Sequence, residues 1–98
     1  MRTIWRQTID IVDDQPITAP GLGRVLSVGN YRAFGPEVWF EVDTEQVDLR
    51  RTIWIVGTGN PIPDECQRYA DYIGHFYANS GRFVGHVYAS RIAYEVAP

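Results

Sequence analysis

Polar and apolar residues alternate along most of this chain, in runs too short for amphipathic helices and punctuated by Gly, Pro, Asn and Asp. That is the pattern of an all-β domain. Residues 3–12 predict the first strand, with Trp5, Gln7, Ile9 and Ile11 on one face and Arg6, Thr8 and Asp10 on the other. Asp13-Asp14-Gln15-Pro16 predicts a turn, residues 17–19 a short returning strand, and Pro20-Gly21-Leu22-Gly23 a second turn. Residues 24–28 read as a strand followed by Gly29-Asn30, a pair that tolerates positive φ and favours a turn. Val38, Phe40 and Val42 then alternate with Trp39, Glu41 and Asp43, which places the first three in the core and Trp39 on a face with two carboxylates. Residues 44–49 are polar and read as a loop. Residues 51–56 form a strong β-branched strand that ends in Gly57-Thr58-Gly59-Asn60-Pro61-Ile62-Pro63. Residues 64–70 predict one helical turn, with Asp64 as its cap.

In the last third, residues 71–78 and 82–94 predict two strands joined by a tight turn at Asn79-Ser80-Gly81. A loop of two or four residues opposes Ala78 to Phe83, Phe76 to Gly85 and His75 to His86, whereas a three-residue loop slips the register by one. One face then carries Tyr72, Gly74, Phe76, Ala78, Phe83, Gly85, Val87 and Ala89, with aromatics opposite glycines as in a core. The reverse face carries Ile73, His75, Tyr77, Val84, His86 and Tyr88. The resulting expectation is a single all-β domain over residues 1–98. It is a small antiparallel β-sandwich or partly open barrel of about six strands, with at most one short helical turn.

Composition narrows the function classes. A net charge of −3 argues against a protein whose main task is gripping nucleic-acid phosphates. All nine basic residues are arginine, scattered from Arg2 to Arg91, as a GC-rich genome would produce and without the clustering of a phosphate patch. Cys66 is the one cysteine, so neither an internal disulfide nor a thiolate zinc cluster is available, and a reducing cytoplasm is expected. The N-terminus has no apolar stretch of signal-peptide length, and no apolar run is long enough to span a membrane.

Several constellations carry candidate chemistry. His75 and His86, flanked by Tyr77 and Tyr88, offer a surface that can stack on and hydrogen-bond a ligand; two histidines without a third ligand do not make a zinc site. The Gly57-Thr58-Gly59-Asn60 backbone follows a strand and precedes a helical turn, so its amides are a candidate anion cradle, with Arg82 as counter-charge. It lacks both the P-loop ending and the three-glycine dinucleotide fingerprint. No serine sits in a nucleophile elbow, and Cys66 lies beside Asp64 and Glu65, which disfavour its thiolate; catalysis is therefore not expected. Trp5 and Trp54 are expected in the core, and Trp39 at a partner interface, because Val38 and Phe40 already account for the buried face.

The N-terminal Thr3-Ile4-Trp5, the loop from Gly57 to Pro63, the strand Tyr72-Ile73-Gly74-His75-Phe76 and its partner Phe83-Val84-Gly85-His86-Val87 together resemble a family of small proteins found in bacteriophages and prophages and known as a domain of unknown function. Asn60 stands where that family's Gly-Thr-Gly-His-Pro pattern has histidine, so any role of that histidine is lost from this chain. The resemblance implies a phage accessory protein working in the cytoplasm of the infected or lysogenic host. By analogy with small phage proteins that lack catalytic motifs, the expectation is a non-enzymatic, homo-oligomeric binding protein without cofactor. Its target is a host protein or a small anionic, nucleotide-like ligand captured to antagonise host defence. The alternatives are a structural or assembly protein of the virion, and a small metal-dependent enzyme.

Overall fold

The computed structural model describes residues 1–30, 32 and 35–96. Its elements run in the order β1 (Arg2–Thr8), β2 (Asp14–Pro20), β3 (Val25–Gly29), β4 (Glu37–Asp43), β5 (Asp48–Gly57), α1 (Asp64–Tyr69), β6 (Ala70–Ala78), β7 (Phe83–Ser90) and β8 (Tyr94–Glu95). One antiparallel sheet has the order β1-β4-β3; the other has the order β2-β5-β7-β6, with the short β8 pairing onto β5. Both sheets keep free edges, so the architecture is an open all-β sandwich. No helix among the described residues is long and apolar enough to cross a membrane.

The core follows from the period-2 patterning. Val38, Phe40 and Val42 of β4 face Ile17 and Ala19 of β2, Ile53 and Ile55 of β5, Phe76 of β6, and Val87 and Ala89 of β7, with Ile9 and Leu22 packed in from the connections. The far face of the larger sheet holds a second, small cluster in which Trp54 and Tyr88 meet Cys66 of α1 and Ala70. Residues 53–57 are therefore buried on both faces, which explains why this stretch of β5 is continuously apolar instead of alternating. Arg51 reaches across the sheet, its Nη1 donating to the Ser90 and Arg91 carbonyls at 2.7 and 2.8 Å, and so fixes the chain as it leaves β7.

Three sequence expectations are corrected. The first strand ends at Thr8, not Val12: beyond it the Gln15 side-chain amide accepts from Asp10 N–H (3.0 Å) and donates to Asp10 C=O (2.7 Å), closing a tight connection that leaves Ile11 and Val12 exposed. The turn expected at residues 13–16 lies largely inside β2, where Asp14 pairs with Trp54 and Pro16 with Thr52. Pro16 is tolerated because β2 is a sheet edge, where a missing N–H breaks no ladder. Trp5 lies on the inward side, opposite Phe40, yet is 42% exposed, since β1 is an edge strand that overhangs the core. Two smaller differences concern ends: Pro63 occupies the cap position of α1, with no side-chain cap from Asp64, and the final predicted strand breaks after Ser90 before resuming as β8.

Candidate functional site

The β6–β7 hairpin turns through Asn79, Ser80 and Gly81, all at positive φ, with Gly81 N–H donating to Ala78 C=O (3.1 Å) and Arg82 N–H to Asn79 C=O (3.1 Å). Four residues thus lie between the paired Ala78 and Phe83, and His75 stands opposite His86 as the even-loop register requires. The Phe76 ring locks this register by lying over Gly85, where a β-carbon would come within 2.5 Å of its Cζ.

The register shifts once, by a bulge between Tyr72 and Gly74. The shift places Tyr72 opposite Tyr88 and moves it to the outer face, away from the core side expected of it. The outer face then carries a row of rings: Tyr72 meets Tyr88 edge-on at 5.2 Å and His86 at 5.9 Å, His86 meets His75 at 6.0 Å, and His75 meets Tyr77 edge-on at 5.5 Å.

His86 is the centre of this row, because both its ring nitrogens are engaged. Its Nε2 lies 2.7 Å from Thr58 Oγ1 and its Nδ1 lies 2.9 Å from Tyr72 Oη. Burial, reinforced by Tyr88, pushes the Tyr72 phenol above its ordinary pKa, so it keeps its proton at neutral pH. Either hydroxyl can donate or accept, so the pair fixes the orientation of the imidazole whichever ring nitrogen donates. Beside the triad is a cleft of about 260 Å³, bounded by residues 57–60, Val56, Ile62, Tyr72, His86 and Tyr88. A broader cleft of about 620 Å³, lined by Ile11, Asp13, Asp14, Pro61 and Phe83, lies across the same loop, and Gly57 and Asn60 line both.

A family model described as a domain of unknown function, DUF7352, matches residues 1–96. The chain belongs to that family. No curated protein and no solved structure matches it.

Within this DUF7352 chain, the residues singled out from sequence divide between several places. Gly57, Thr58, Gly59, Asn60, His86 and Tyr88 line one cleft. His75 continues the ring row beyond it, and Tyr77 lines a separate hollow with Asn30, whose Nδ2 donates to the Tyr77 carbonyl at 2.8 Å. Arg82 sits at the end of the hairpin turn, outside the cleft lining. Trp39 lies on the other sheet, half-buried beside Ile4, Leu26 and Ser27, and is not part of this site. Of the loop amides expected as an anion cradle, Thr58 N–H donates to Val84 C=O of β7 (3.2 Å), extending the β5–β7 ladder, and Asn60 N–H donates to Gly57 C=O (3.0 Å), closing the loop's turn. Sequence reasoning missed Tyr72 as an outer-face residue, although Gly74 within a strand was a bulge signal. Among the described residues no group of three or more His, Cys, Asp or Glu could hold a metal ion. Cys66 is buried under α1, and burial pushes its thiol pKa up.

Proposed function

We propose that the protein is a non-enzymatic phage accessory protein that acts in the host cytoplasm by capturing a small nucleotide-like ligand at the His86 cleft. The observation that carries this reading is the Thr58–His86–Tyr72 triad, which fixes a polar ring beside the edge-on Tyr72–Tyr88 pair. Aromatic faces with fixed hydrogen-bonding groups between them suit a planar, polar ring such as a nucleobase. Among the described residues no charged side chain lines the cleft, so the reading is of recognition of the ring, with Arg82 at the end of the hairpin turn as the counter-charge for an anionic tail. Both ring nitrogens of His86 are already engaged by Thr58 and Tyr72, which favours a fixed binding group over a proton-transfer group. Phage origin rests on the sequence resemblance, and antagonism of host defence on the analogy with other small phage proteins.

The test is calorimetric titration of the protein with a panel of nucleoside mono- and diphosphates and cyclic dinucleotides. The reading expects saturable binding of at least one class, lost in His86→Ala and in Tyr88→Ala while the circular dichroism spectrum is unchanged. Binding that survives both substitutions, or no binding across the panel, contradicts it.

A further inference from the structure

We propose that the protein forms a symmetric homodimer by antiparallel pairing of β1 with β1 of a second copy, joining the two three-stranded sheets into one of six strands. The sheet edges differ in how they are protected. β2 carries Pro16 and Pro20, β3 is bulged between Val25 and Ser27, and β6 is bulged between Tyr72 and Gly74. Each of these devices blunts an edge against further pairing. β1 has none: its seven residues, Arg2 to Thr8, contain no proline or glycine and pair with β4 without a break.

The phase of the β1 ladder decides which backbone groups are free. Met1 C=O accepts from Thr44 N–H at 3.0 Å, and Ile9 N–H donates to Pro36 C=O at 2.9 Å. Both bonds continue the unbroken register in which Arg2 pairs with Asp43 and Thr8 with Glu37. Hydrogen-bonded pairs alternate along an antiparallel ladder, so Thr3, Trp5 and Gln7 turn their N–H and C=O groups toward β4. Arg2, Ile4, Arg6 and Thr8 turn theirs outward.

That outward edge is its own complement in one register. With the two-fold axis at Trp5, each Ile4 exchanges both backbone bonds with the other copy's Arg6, and each Arg2 with the other copy's Thr8. All seven residues then pair and no two arginines stand opposite each other. Moving the axis to Ile4 sets Arg2 against Arg6, and moving it to Arg6 sets that residue against itself; like charges directly opposite are destabilising. The favoured register also makes Trp5 face Trp5 at a non-hydrogen-bonded position, where cross-strand side chains come closest, and so covers an indole that is 42% exposed in the single chain.

Sedimentation velocity at tens of micromolar protein is the test. The wild-type chain should sediment as a dimer. Ile4→Lys sets a lysine against the other copy's Arg6 twice per dimer, at a position 57% exposed, and should weaken association by roughly tenfold to a hundredfold with the circular dichroism spectrum unchanged. In a second, independent readout, mild oxidation should link Trp5→Cys into covalent dimers but not Ile4→Cys, whose opposite number is Arg6; the native Cys66 is buried and supplies the unlinked background. A monomeric wild type, a dimer indifferent to Ile4→Lys, or equal cross-linking of the two cysteine variants overturns the proposal.

Discussion

Gly85→Ala is the sharpest test of how the hairpin is held. A β-carbon at position 85 would lie 2.5 Å from Phe76 Cζ, 2.6 Å from Phe76 Cε1 and 3.0 Å from Ile55 Cγ2, against ordinary contacts of 3.4–4 Å. Phe76 is 1% exposed and Ile55 7%, so neither can swing into solvent to make room. Overpacking a core by one methyl costs typically about 1–3 kcal/mol, and with two confined neighbours the upper end, about 3 kcal/mol, is expected. For a domain of this size that corresponds to a melting temperature lower by roughly 12 to 24 °C, read by thermal circular dichroism. Phe76→Leu removes the ring atoms that clash, at a cost of its own of roughly 1–2 kcal/mol for the lost packing. The double variant should therefore be more stable than the sum of the single costs predicts, by about 1–2 kcal/mol. A Gly85→Ala protein melting within a few degrees of wild type, or strictly additive costs in the double variant, would refute the packing argument.

Two further predictions rest on buried groups. Glu37, fully buried, takes a hydrogen bond from Arg32 Nε at 3.0 Å and faces Arg6 at 3.7 Å; the Arg32 bond above all holds its carboxyl below the usual carboxylate range. The unfolded chain therefore takes up this proton first as pH falls, so the stabilisation is complete above the unfolded carboxylate pKa of about 4.3 and is lost as pH drops toward the lower folded value. Urea midpoints measured from neutral pH downward should fall on that acid limb, and Glu37→Gln should flatten it; an unchanged limb contradicts the assignment. Cys66, buried with a raised thiol pKa, should resist an aromatic disulfide reagent in the native protein and react at once in denaturant, whereas rapid native labelling would mean that α1 opens freely.

Much of this fold could be read in the residues because period-2 alternation is a local signal. Val38, Phe40 and Val42 announce the inner face of β4, and the small, positive-φ turn at Asn79-Ser80-Gly81 narrows the hairpin register that sets His75 opposite His86. What escaped depends on partners distant in sequence. Pro16 reads as a turn residue until β5 supplies the strand that pairs with it, and Trp5 reads as core until β1 proves to be an edge. Tyr72 reads as inward-facing because strict alternation was carried through a strand that contains a bulge; one extra residue moved the side chain that completes the His86 site. The loop amides read as free donors, whereas Thr58 N–H extends the β5–β7 ladder and Asn60 N–H closes the loop's turn, a bond pattern that composition does not encode.

The proposed function stands or falls on capture of a small ligand by the His86 face. Native mass spectrometry of the protein purified gently from a bacterial host, set against its denatured mass, tests this most directly. Ligand capture predicts an assembly carrying extra mass of nucleotide size that is released on denaturation and absent from His86→Ala. A ligand-free species for the wild-type protein, both as purified and after incubation with the nucleotide panel, would contradict it.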